Sequence, residues 1–502
     1  MAKRLLRFVA LLLLLTIPVN QAAAQFGGFG GMMGGGMMGG GFGGGMMGGG
    51  FGGGMMGGGF GGMMMGGMGG GMMMGMMAGG GGAGVNIDAD GVLKDVDRDP
   101  TGALTRKAFA AAKEMTKEYE RSDFRKVSLN RLEKAIKARF DEKKNLTAEM
   151  AYLAGLTRVR YVMLLPETND IILAGPAEPA FMDADGEVRG IDSMKPCVQL
   201  QDVVAAMRAY PPGGRYTYHI GCSIDPTAEG LARMQQFIAQ ISRRGAPRSA
   251  KIIVNGLREA MGKQNITITG VSPESHFAQV MVAADYRMKL IGIGVEKPPV
   301  RIPSYVDLSR GGSKNALVRW YFMPEYKSVV MSDDHLAIEL VGDGVKLVGA
   351  DEVVTAGGER LSSTPSDGAS KRFTEAFTTN YPELAAKVPV YANLRNLIDV
   401  AVAAAYMQKE DLYGKSGHHF ELFMNEEDFA IEFFHAPKQV DTVVTAVWKG
   451  SKLMTPMGGG VHIEPRQALE QDNLLTDEEG KLAGRRAGLD VKKLEGERWW
   501  WD

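Results

Sequence analysis

The chain has 502 residues, 57 of them basic and 58 acidic, with 69 glycines, 34 methionines and two cysteines. Setting aside the first 24 residues, which hold three basic and no acidic groups, leaves 54 basic against 58 acidic, a net charge of −4. That balance argues against general nucleic-acid binding, which needs a basic surface to displace counterions.

Lys3, Arg4 and Arg7 form a basic start, Phe8 to Val19 an apolar run, and Ala22-Ala23-Ala24 a small-residue cleavage site. This is the pattern of a secretory signal over residues 1–24, leaving Gln25 as the new N-terminus. The apolar run is shorter than the ~20 residues that cross ~30 Å of hydrocarbon. No cysteine follows it to carry a lipid. The mature protein is therefore expected to be exported, periplasmic or extracellular, with no transmembrane segment after signal cleavage.

Residues 25–84 are almost wholly glycine, methionine and phenylalanine, and a nine-residue unit runs from Phe42 through Met46 and Met47 to Phe51, then through Met55 and Met56 to Phe60. So much glycine loses too much entropy on ordering to pack, so this reads as a disordered tether. Two functional readings stand beside that one. Thioethers favour Cu(I), which makes Met46, Met47, Met55 and Met56 candidate metal ligands. Methionine also packs adaptably, so the segment could hold an envelope protein partner.

From Val85 the composition is that of a globular α+β chain, with expected divisions at 85–300, 301–454 and a C-terminal tail, 455–502. Asn86–Asp97 recurs as Phe181–Asp192, each with Asp-Ala-Asp-Gly inside. The first copy places Asn86, Asp88 and Asp90 at calcium-loop positions 1, 3 and 5, with Asp97 last. The second copy has Phe181 at position 1, which cannot ligate. Asp-Gly between alternating apolar residues is also a hairpin turn, and that reading explains both copies.

Helices are expected at 103–118, after a Ser128 cap, after a Thr147 cap, and at 200–210, with a hairpin pairing 158–165 and 170–174. The stretch 216–296 reads strand, helix, helix, strand, helix, a pair of related βα units with Asp225-Pro226 and Ser272-Pro273 as the two helix starts. After it, runs at 317–323, 327–331, 336–341 and 345–348 suggest an antiparallel meander turning at Gly342-Asp343-Gly344. Helices follow at 373–387 and 391–409, the second apolar enough to be buried. Further strands are expected at 419–424, 429–434 and 443–448. Trp499–Trp501 should dock on the body or on a partner.

Catalytic spacing is sparse. No G-x-S-x-G, H-E-x-x-H or C-x-x-C string occurs, and Gly292-Ile-Gly294 follows a helix, so it is no dinucleotide fingerprint. No cofactor is expected. The remaining catalytic candidates are Cys222 as nucleophile with His276 and Asp285. Cys197 and Cys222 are equally open to pairing as a disulfide, worth ~3 kcal/mol, or to standing as buried thiols.

Five strings carry a family likeness: Gly221–Leu231, His276–Met288, Arg319–Pro324, Leu173–Glu178 and Val388–Leu397. Together they resemble a family of large exported planctomycete proteins defined only by a domain of unknown function. The resemblance implies export and brings no reaction, cofactor or site residue. The sequence as a whole is best read as an exported binding or structural protein of the cell envelope or extracellular space. An enzyme of unrecognised type and a copper-binding protein are the alternatives.

Overall fold

The computed structural model describes residues 85–502 except 96–98, 100–102, 116–119, 184, 245–249, 310–315, 355–359, 363–367, 445–446, 450–451, 455–458, 471–472 and 490–497. The signal, the tether and its Met46, Met47, Met55 and Met56 lie outside the described residues, as does Asp97.

Both Asp-Gly strings are hairpins. Strands β1 (Val85–Ile87) and β2 (Val92–Asp95) pair antiparallel across Asp88–Gly91. The Asp88 carboxylate accepts from the backbone N–H of Asp90 and Val92, and Gly91 supplies the positive φ that the turn requires. After α1 (Ala103–Met115), β3 (Ser122–Ser128) runs into α2 (Leu129–Asp141), where Ser128 Oγ accepts from Arg131 N as expected. The hairpin β4 (Tyr161–Leu165) and β5 (Asp170–Ala177) follows. The second Asp-Gly hairpin is β6 (Ala180–Met182) with β7 (Val188–Gly190). There Asp183 accepts from the N–H groups of Asp185 and Glu187 at 2.9 Å, repeating the role of Asp88.

Next come α3 (Leu200–Ala209), β8 (Ile220–Pro226), α4 (Ala228–Arg244), α5 (Ala250–Met261), β9 (Lys263–Thr269) and α6 (His276–Gly292). The order of elements is as expected, but β8 and β9 are antiparallel neighbours. Both helix starts need correction. Asp225 and Pro226 belong to β8, and Thr227 Oγ1 accepts from Gly230 N at 3.0 Å. Ser275, three residues after Ser272, caps α6 by accepting from Ala278 N.

The expected meander is a different object. β10 (Ala316–Glu325) pairs with β13 (Gly344–Val354), while the intervening β11 (Ser328–Met331) and β12 (Ala337–Val341) pair with each other. This is one long hairpin that leaves one sheet and enters another. It bends at Gly342, whose φ is +104° and where a Cβ would lie 2.8 Å from Lys327 N. Any other residue there would clash with the facing backbone.

β14 (Arg360–Ser362), α7 (Gly368–Lys387) and α8 (Pro389–Lys409) lead to β15 (Gln439–Asp441), β16 (Val447–Lys449), β17 (Lys452–Met454), β18 (Gly460–Ile463), β19 (Leu474–Thr476) and β20 (Trp500–Trp501). Among the described residues one sheet has the order β1-β2-β15-β9-β8-β18-β10-β13-β14 and a second the order β19-β11-β12-β4-β5-β3-β20. Both draw strands from either side of residue 300. α8 is buried from Val390 to Met407, as its composition predicts, and packs on α3 and α6. No helix among the described residues is long and apolar enough to cross a membrane.

Residues 419–434 do not form the two expected strands. Glu421–Met424 is a helical turn, and the chain beyond it is held by side chains. Arg208 donates to the carbonyls of Phe423 and Phe429, both at 2.7 Å, while Glu426 accepts from the N–H groups of Ile431 and Glu432. Those backbone groups therefore need no strand partner. At the chain's end β20 pairs with β3, and Trp499 O accepts from Ser128 N at 2.8 Å. Trp499 and Trp501 are buried, and Arg125 grips both oxygens of the Asp502 side chain. The terminal tryptophans dock on the body.

Candidate functional site

Helix α6 lies against β8 and buries two charged residues of the central stretch, Asp285 and Lys289. Asp285 and Lys289, one helical turn apart on α6, form an ion pair with Nζ 2.9 Å from Oδ2. Lys289 also donates to the carbonyl of Ile224 on β8 at 3.1 Å. Asp225, released from the expected capping role, meets Arg319 of β10 at 2.9 Å. Gly459, just before β18, closes the site: a Cβ there would lie 2.8 Å from Asp285 Oδ1 and 2.7 Å from Lys289 Cε.

Asp285 is fully buried, and its Oδ1 has no hydrogen-bond partner. Burial pushes its carboxyl up to about 6; Lys289 pulls it down and the Asp225 charge adds to the rise. Cys222 on β8 feels the same centre. Burial, reinforced by the Asp285 charge, drives its thiol well above the ordinary range, so the thiol is protonated at neutral pH. Cys197 is likewise buried and pushed upward. Both cysteines are free, so the disulfide that spacing allowed is not formed.

His276 stands at the opposite end of α6, nine residues from Asp285, or about 13 Å at ~1.5 Å per residue. Its Nδ1 lies 2.9 and 3.0 Å from the two oxygens of Asp202 on α3, and its Nε2 lies 3.2 Å from Gln199 Nε2. Burial alone would lower its pKa, but Asp202 outweighs burial and raises it. Of the three catalytic candidates, the fold brings Cys222 and Asp285 together and leaves His276 in a separate buried pair. A recess of about 30 Å³ beside Lys289 is lined by Gln264, Tyr286, Trp320 and Asp441. That is room for a water molecule.

Among the described residues no group of three or more His, Cys, Asp or Glu is placed to hold a metal ion. Asp88 is occupied by its turn, and Asp90 is exposed.

A second buried charged cluster escaped sequence reasoning. Arg158, which precedes β4, donates through Nε and a terminal nitrogen to both oxygens of Asp399 on α8, at 2.6 and 3.2 Å. Tyr326 adds its hydroxyl at 2.9 Å. Arg395 lies one turn earlier on the same helix. The signal available in the sequence was a charged pair four residues apart inside an apolar helix, which occurs in both α6 and α8.

Residues 222–305 match the family model described as Protein of unknown function (DUF1598). The DUF1598 match takes in Cys222, Asp225, Asp285 and Lys289, most of the Asp285 centre, and also His276. Arg319 and Gly459, which complete that centre, lie outside it, as do Arg158, Arg395 and Asp399. No curated protein and no solved structure matches the chain.

Proposed function

We propose that this chain is an exported bacterial protein of planctomycete type that works by binding, or as a structural component of the cell envelope or extracellular space, and not by catalysis. The observation that carries this reading is the commitment of its reactive groups within the core. Cys222 is held as a buried thiol, and both ring nitrogens of His276 have partners. The adjoining recess is too small for an organic substrate. Export rests on the signal pattern of residues 1–24, and residues 25–84 supply the adaptable contact surface.

Pull-down from envelope extracts, using the mature chain and a variant lacking residues 26–84, tests the reading. Partners captured by the complete chain are expected to be lost from the truncated one. Identical partner profiles would remove the role given to residues 25–84.

One observation favours a second reading, an enzyme of unrecognised type. Asp285 has an oxygen without a partner and a carboxyl that titrates near neutrality, which suits proton transfer.

A further inference from the structure

Helices α4 and α5 form an excursion between β8 and β9. They pack on each other around Leu231, Met234, Ile253, Leu257 and Met261, an apolar cluster of their own to which, among the described residues, Val444 is the one buried addition from elsewhere. Two glycines let the helices close. A Cβ on Gly230 would lie 2.4 Å from Met261 O, and one on Gly256 would lie 2.2 Å from the Phe237 ring. That sets the register of the pair: Phe237 faces Gly256, and one turn further from the sheet Ile241 comes opposite Ile252.

Charge divides along this hairpin. Its exposed carboxylates, Glu229 and Glu259, lie in the first turn of α4 and the last turn of α5, at the end that joins the sheet. Arg233 and Arg258 stand at that same end, with Arg233 donating to Ala260 O at 2.8 Å. At the outer end the exposed charges are Arg243 and Lys251, and the outer halves of both helices hold no carboxylate. Neither cation makes an ion pair among the described residues. Lys251 occupies the first turn of α5, which contains no acidic residue and where a positive charge opposes the helix dipole. Ile252 beside it is 59% exposed. Neither residue serves the stability of the hairpin.

We propose that the outer end of the α4–α5 hairpin docks on an anionic membrane surface, with Arg243 and Lys251 at the lipid phosphates and Ile252 inserted below them. Basic side chains are drawn to anionic lipid, and an aliphatic side chain gains by leaving water at the interface. A nucleic acid would match the charge but leave Ile252 in water. The surface gives the binding protein proposed above a place on the envelope and rests on that reading for meeting a membrane, although the two are tested separately.

The test floats the mature chain with vesicles of phosphatidylcholine alone and of phosphatidylcholine mixed with phosphatidylglycerol. Binding to the anionic vesicles, weakened by added salt, and none to the neutral ones is expected. Lys251→Gln should lower the partition coefficient about fivefold, as loss of ~1 kcal/mol would, and Ile252→Ser about tenfold. Both positions are exposed, so the variants should fold, which their thermal midpoints check. Lys346→Gln, the same loss of charge on β13, should leave binding unchanged. No binding, equal binding to neutral and anionic vesicles, or binding that neither hairpin variant weakens overturns the surface. So does equally tight binding to duplex DNA that Ile252→Ser leaves intact, which would assign the charge to a soluble polyanion. None of these outcomes alters the partner capture expected of residues 25–84.

Discussion

Replacing Asp399 with alanine is expected to destabilise the protein by about 3–5 kcal/mol, the cost of breaking a buried ion pair by removing one partner. Asp399 is 0% exposed and holds Arg158 through two hydrogen bonds and Tyr326 through a third. Burial works against the Arg158 charge, yet the Asp399 carboxylate raises its pKa above the ordinary value. Without that carboxylate, Arg158 and Arg395 are left as two like charges in the core between β4 and α8. The matched control is Lys346→Gln, which breaks an exposed pair with Glu325 at 3.1 Å. A pair of that kind is worth about 0–1 kcal/mol. Denaturant unfolding of both variants beside the wild type gives the comparison. A loss for Asp399→Ala no larger than that of the control would show that the buried network contributes nothing particular.

The second large effect is the pH dependence of Asp285. Its folded pKa, about 6, lies above the ordinary 3.8, so between those values the folded state binds more protons than the unfolded state. Stability attributable to this group therefore rises as pH falls through 6 and is fully restored below 3.8. Above pH 6 the buried charge subtracts about 3 kcal/mol, at ~1.4 kcal/mol per pKa unit. Asp285→Asn removes the titration and leaves Lys289 without its partner at every pH, which is a constant offset. The stability of wild type relative to Asp285→Asn should thus shift by about 1 kcal/mol in favour of wild type between pH 7.5 and pH 5. Parallel stability–pH curves for the two proteins would contradict the buried position of this carboxyl.

Features set by a few neighbouring residues were legible in the sequence. Asp88 and Gly91, like Asp183 and Gly186, define their turns within the turn itself, and Ser128 and Thr147 cap the helices that follow them. The apolar pattern of α8 announced its burial. Where two cap-type residues stood close together, local reasoning chose wrongly. It took Asp225 and Ser272 because a proline followed each, whereas Thr227 and Ser275 make the hydrogen bonds. Alternation revealed the strands of the long hairpin but not the bend that carries β11 and β12 into the second sheet. Residues 419–434 were misread because their backbone groups are satisfied by Arg208 and Glu426, one of them distant in sequence.

The site was legible only in part, for the same physical reason. Cys222 and Asp285 were both singled out, yet only the packing of α6 on β8 shows that they share an environment while His276 does not. Lys289 was readable as the partner of Asp285 at four residues' distance. Arg319 and Gly459 reach the centre from β10 and the approach to β18, and no local spacing announces them. Arg395 and Asp399 carry the same four-residue signal inside α8. Its meaning there depends on Arg158, more than 200 positions away in the chain.

The most direct test of a non-catalytic core is the reactivity of its thiols. Native protein treated with iodoacetamide at mildly alkaline pH, followed by mass spectrometry, should retain both Cys222 and Cys197 unmodified, whereas the denatured chain should be alkylated at both. Rapid alkylation of Cys222 in the native protein would contradict a buried, protonated thiol and favour the enzyme reading.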